Sequence, residues 1–159
     1  MKKNSLNILT IFTKSVLEQA STTEVINSLK QKIQESSEPF IGEAINTELF
    51  QSDLPPNIKS CWIFILKKDT PSIAHYHPNS IQHTAMIEGK GKVMVGDILQ
   101  DLQLFDISNK NTWYIINENV PHEFFPEDED MIVISFHTCA PEDLIEVKCA
   151  TGENRIYKS

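Results

Sequence analysis

The sequence predicts an all-β sandwich or barrel with a helical extension at its N-terminus, on three observations. From residue 40 onward, short runs rich in β-branched and aromatic residues recur about every 8–12 residues between turn signals. Ahead of Pro39 the apolar residues repeat at three and four, the helical period. Two runs, CWIFIL at 61–66 and MIVISF at 131–136, are almost continuously apolar, the pattern of strands covered on both faces.

Taken in order, residues 5–20 place Ile8, Leu9, Phe12, Val16 and Leu17 on one stripe and predict a first helix. Ser21-Thr22-Thr23-Glu24 reads as a capping box, with the Ser21 hydroxyl accepting from the Glu24 amide. Behind it Val25, Ile26, Leu29 and Ile33 predict a second helix to about Ser36, its stripe lying on the barrel or on a second subunit. Pro39 closes the helical part, and residues 40–45 form the first strand. Leu54-Pro55-Pro56-Asn57 lacks two amide donors and is a linker or turn.

Residues 61–66 form a strand, and the turn at 67–71 leads into Ala74-His75-Tyr76-His77. Pro78-Asn79-Ser80 breaks that strand, and residues 81–88 are expected to return antiparallel to it and end in the turn Gly89-Lys90-Gly91. Residues 92–95 make the next strand and Gly96-Asp97 a hairpin turn. Leu102, Leu104 and Ile107 indicate a further strand; so do residues 112–116, 122–125 and 131–136. Residues 144–147 and 155–157 add edge strands. The acidic run at 127–130 is a solvated loop.

At 159 residues the chain can bury one core and is too short for two ordinary domains and a linker. We divide it into a helical extension with linker, 1–57, and a barrel, 58–159. A net charge of −8 repels a phosphate backbone, so nucleic acid is not the expected partner. Cys61, Cys139 and Cys149 are odd in number and lack Cys-x-x-Cys spacing, which argues against a disulfide framework or zinc ribbon, so a reduced cytoplasmic protein is the expectation. The basic tip MKKNSLNILTIF is not read as a signal peptide, because polar residues interrupt its apolar run and no small-residue cleavage site follows. No stretch approaches the roughly 20 apolar residues of a membrane span.

His75 and His77 share one face of an extended strand, since side chains alternate across it. Taken alone, such a pair is a metal-ligand pair, a polar rim or a hydrogen-bonded couple. A third histidine follows the turn at Val120-Pro121-His122, and three imidazoles converging on a transition metal inside a barrel is the reading pursued. The sequence carries no serine nucleophile elbow, phosphate-cradling loop or dinucleotide fingerprint.

The order His75-x-His77, Gln82, Gly89 and then Pro121-His122 resembles the two motifs of the cupin superfamily, over roughly residues 59–147. The resemblance implies a double-stranded β-helix, or jelly-roll barrel, holding one divalent transition metal: iron, manganese, nickel, copper or zinc. It assigns His75, His77 and His122 as ligands and Gln82 as the fourth candidate, inside the barrel, with His83 on the opposite face. Gln82 stands where the family has glutamate, Asp69 where the first motif opens with glycine, and Asn119 where glycine precedes the second motif's histidine. Resemblance to three-histidine cupin dioxygenases implies a dioxygenase, or a lyase or isomerase, acting on a small anionic substrate. The alternatives are a non-catalytic sensor of a small molecule or metal, and a metal-free structural or dimerisation barrel. A homodimer is the expected assembly. Trp113, Tyr114, Met86 and Phe124 are candidate cavity walls or core residues, and His137 is expected to be a hydrogen-bonded structural histidine.

Overall fold

The computed structural model describes residues 2–47 and 53–156. Two helices, α1 (Lys2–Leu17) and α2 (Ala20–Glu35), precede eleven strands among the described residues. The strands are β1 (Phe40–Ile45), β2 (Ser60–Leu66), β3 (His75–Tyr76), β4 (Gln82–Glu88), β5 (Gly91–Val95), β6 (Ile98–Asp101), β7 (Tyr114–Ile116), β8 (His122–Pro126), β9 (Met131–His137), β10 (Ile145–Lys148) and β11 (Asn154–Ile156). They form a five-stranded sheet, β1-β2-β9-β4-β7, and a six-stranded sheet, β11-β10-β3-β8-β5-β6. All neighbours in both sheets pair antiparallel. The fold class read from the sequence is therefore the observed one: a jelly-roll double-stranded β-helix with a helical N-terminus.

The near-continuous apolarity of β2 and β9 has a direct cause. Their residues facing the second sheet, among them Trp62, Phe64, Met131 and Val133, join Met86, Val93, Phe124 and Leu144 in an inner core. Their other faces, Cys61, Ile63, Ile65, Ile132, Ile134 and Phe136, are covered by Leu9, Phe12 and Val16 of α1 and by Leu29 and Ile33 of α2. The stripe of α2 thus lies on its own sheet, packed on β1 and β2. Ile33 is fully buried there, so Ile33→Ala is expected to destabilise the protein by about 2–5 kcal/mol. Chemical denaturation measures that loss, and metal affinity should stay within twofold because the residue lies on the far side of the sheet.

Several local expectations are corrected. The capping box does not form: α2 starts at Ala20 behind Gln19, which makes no side-chain cap, so Ser21 is already inside the first turn. The end of α1 is tightened by the amides of Glu18 and Gln19 donating to Ser15 and Val16, leaving a corner too short for a start at Ser21. α1 begins and ends about three residues earlier than expected, and its buried face holds Thr13 with Leu9, Phe12 and Val16 and leaves Ile8 exposed. Residues 81–88 do not pair with the histidine strand: β3 lies in the six-stranded sheet and β4 in the other, because the Pro78–Ser80 segment crosses between sheets. Leu102, Leu104 and Ile107 make no strand, and Leu104 forms only an isolated bridge to Met86. The hairpin strand is instead β6, around Gly96 with φ +63°. Tyr157 of the expected last strand lies outside the described residues.

Two departures from the cupin motifs have a conformational explanation. Asp69 and Asn119 both adopt left-handed backbone, φ +55° and +64°. Asp and Asn enter that region more readily than other non-glycine residues, so they preserve turns for which glycine is the usual solution. The Asn119 amide also donates to the His77 carbonyl at 3.0 Å, fastening the turn ahead of His122 to the histidine segment.

Candidate metal centre

His75 and His122 are directly opposed in the β3–β8 pairing, and His77 follows β3 on the same face as His75. The ring centroids lie 4.4 Å apart for His75 and His122, and 5.1 Å for each of them to His77. One ligand nitrogen from each ring can be chosen so that all three lie within 4.8 Å of one another. The sheet register therefore brings together residues 45 positions apart in sequence, counted from His77 to His122.

The rings are also held by the backbone. His75 Nδ1 lies 2.9 Å from the Ile73 carbonyl, His77 Nδ1 2.7 Å from that of Ile145, and His122 Nδ1 3.0 Å from that of Val120. A carbonyl only accepts, so each Nδ1 carries the proton and donates it, leaving Nε2 with a free lone pair. This is the arrangement that orients imidazole toward a metal. Ile73 contributes through unusual backbone, φ +77°, which is rare for a β-branched residue and persists only where the surroundings enforce it.

Two buried polar atoms test the fit of a metal. His122 Nε2 and Gln82 Oε1 are both buried without a hydrogen-bond partner. Leaving such atoms unsatisfied costs about 1–3 kcal/mol each, and a cation bound at the histidines would remove that cost for His122. Gln82 lines the cavity, with its Nε2 donating to Ser135 Oγ at 3.3 Å, while His83 lies on the opposite face of β4. The three neutral imidazoles therefore fit a divalent transition ion.

Burial pushes His75 and His77 down to about 4, and His122 and His137 well below the usual imidazole value; for His77, His122 and His137 the neighbouring imidazoles add to the effect. All four are neutral at pH 7. A folded-state value below the unfolded one means that the unfolded chain binds more protons on acidification. Stability is thus fully present above about pH 6.5 and falls as pH drops from there toward 4. Metal-free protein should lose several kcal/mol over that window, because an imidazole that resists protonation in the fold costs about 1.4 kcal/mol for every pH unit below its unfolded value. A denaturation midpoint unchanged between pH 7 and about 4.5 would contradict this.

Beside the histidines a cavity of about 30 Å³ is walled by Phe40, Phe64, Leu66, Phe124 and Val133, with Ser72 and His137 at its polar side. Phe40 stacks on His75 at 6.0 Å. Gly42 lets the Phe64 ring lie flat on the backbone of β1, where any Cβ would collide with it. Of the expected wall residues, Phe124 lines this cavity, and Met86 and Tyr114 fill the inner core. Trp113 belongs to the outer core and donates to Thr10 Oγ1 at 2.9 Å. His137 accepts or donates at Ser80 Oγ, 2.8 Å away, as expected of a structural histidine, but its ring also lies 5.2 Å from that of His77. Sequence reasoning does not single out Phe40, Phe64 or Glu146, whose carboxylate is buried 3.3 Å from His75 Nδ1. A lone acid inside the apolar run Leu144-Ile145-Glu146-Val147 is the signal that could have found the last of them.

Among the described residues no helix is long and apolar enough to cross a membrane. The sequence matches no protein-family model, and it matches no curated protein at a significant level. In fold it is similar to a salicylate 1,2-dioxygenase from Pseudaminobacter salicylatoxidans, with a TM-score of 0.55 and 13% identity over 76% of this chain and 34% of that one. It is also similar to the oxalate decarboxylase of Lactobacillus farciminis in its formate complex (0.54, 18%, 72% and 32%) and to a cupin-2 domain from Rhodospirillum rubrum (0.50, 12%, 77% and 68%). The chain spans about a third of the length of the first two. Strand order and structural likeness agree, and the chain has the cupin fold.

Proposed function

We propose that this cupin is a metal-dependent enzyme, in the first instance a dioxygenase, acting on a small anionic molecule. The observation that carries the reading is the set of three Nε2 lone pairs freed by Nδ1 bonds to the backbone, one of them buried and unsatisfied on His122. A divalent transition ion bound there would act as a Lewis acid and, where redox-active, bring dioxygen and substrate together. His75, His77 and His122 would hold it, with Gln82 as a weak fourth donor. Neutral ligands leave the ion's charge undiminished, which favours an anionic group on the substrate. The salicylate and oxalate enzymes named above are each named for a small carboxylate. Phe40, Phe64 and Phe124 would enclose the apolar part of the molecule and exclude water from the reacting atoms.

A second reading, a non-catalytic metal-binding barrel, is favoured by the small cavity, which at about 30 Å³ takes little more than water-sized ligands. Metal analysis of untagged protein, followed by oxygen uptake of the iron-loaded protein over thiols, keto acids and phenols, separates the two. Turnover on a small anion supports the enzyme. Metal near one per chain without turnover on any of these supports the binding barrel, and metal well below one per chain removes both.

A further inference from the structure

We propose that Glu146 is a positioning residue for the metal centre, its carboxylate fixing the orientation and raising the basicity of His75. The inference rests on reading the three histidines as metal ligands. A buried carboxylate is costly to retain unless something compensates it. Glu146 is 2% exposed, and its Oε1 lies 3.3 Å from the His75 Nδ1 that also points to the Ile73 carbonyl. The Nδ1 proton that His75 donates to the Ile73 carbonyl therefore also lies beside a carboxylate oxygen. At Nδ1, His77 and His122 have carbonyl partners alone among the described hydrogen bonds.

Glu146 on β10 opposes Arg155 on β11, the adjacent edge strand. The Arg155 guanidinium lies 5.8 Å over the Phe40 ring and 3.7 Å from Glu38, and Phe40 in turn stacks on His75. His75 is thus enclosed by a carboxylate at Nδ1 and an aromatic face. An anionic acceptor at Nδ1 makes Nε2 more electron-rich, so His75 becomes the strongest donor of the three.

The test is cobalt(II) affinity of the metal-stripped full chain, measured against a competing chelator, for wild type and Glu146→Gln. Gln keeps the shape and a carbonyl acceptor but removes the charge. The expected result is binding about 10- to 100-fold weaker and an altered cobalt absorption band, with the melting temperature of the metal-free protein not lowered. Affinity within twofold of wild type overturns the inference. So does a fall of more than about 5 °C in the metal-free melting temperature, which would make Glu146 a residue of the fold. Should the Gln variant fail to fold, Glu146→Asp withdraws the charge by one methylene and is expected to weaken binding about three- to tenfold, with unchanged affinity again overturning the inference. Wild type that takes up no cobalt ends the metal reading and this inference together. Wild type that binds, with an indifferent variant, ends only this one.

Discussion

Replacing His122 with alanine is expected to take the bound transition metal from about one ion per chain to less than about a tenth, under conditions that saturate wild type. Groups that merely hydrogen-bond to a metal ligand are worth about 10- to 100-fold in affinity, so a ligand that is one of only three imidazoles should cost more than about 100-fold. His122 is the sharpest choice because its Nε2 is the buried imidazole nitrogen of the trio that lacks a partner. It also pairs directly across from His75, so its loss opens the site from the β8 side. His83→Ala is the control: it removes an imidazole from the other face of β4 and should leave the metal content unchanged. Elemental analysis and chelator competition on untagged protein measure both. Retained affinity in the His122 variant would mean that the three rings are a hydrogen-bonded cluster and not a ligand set.

The shared face of His75 and His77 was legible in the sequence because a strand's period of two puts them together whatever sheet they join, whereas the assignment of His122 came from the resemblance to the cupin motifs. The apolar runs of β2 and β9 were legible for a related reason. Helices on one side and a second sheet on the other require apolar residues at every position. What periodicity does not carry is which strand pairs with which. The four residues between His77 and Gln82 suit a hairpin as well as a crossing between sheets, and the crossing was settled by non-local packing. The Ser21–Glu24 capping box failed for the same kind of reason: its residues fit the motif, but the corner after Leu17 fixed the start of α2 two residues ahead of where the motif needs it. Glu146 was harder to read because its meaning depends on His75, 71 positions earlier: the apolar run around it marks the acid as buried but not what it faces.

Gln82→Glu should move the two ends of the stability scale in opposite directions. In the metal-free protein the new carboxylate would sit where Gln82 Oε1 now has no partner, beside imidazoles held neutral by burial. An uncompensated buried charge costs about 3–5 kcal/mol when ionised, and the group would escape part of that cost by protonating. The metal-free variant should therefore melt well below wild type at pH 7, and the gap should narrow as pH falls. With a divalent ion present the same carboxylate becomes an anionic ligand in place of a weak amide donor, so metal should bind at least about tenfold tighter, about 1.4 kcal/mol or more. The metal-induced rise in melting temperature must then be larger for the variant than for wild type, since a ligand that binds only the folded state adds its binding free energy to stability. Differential scanning calorimetry with and without zinc measures both effects. Equal metal-induced rises would place the side chain of residue 82 outside the coordination sphere and leave the three histidines as the whole site. A larger rise would show that the glutamine holds this site at a weaker affinity than its geometry allows, which would favour a centre that exchanges its metal or keeps a position open for substrate.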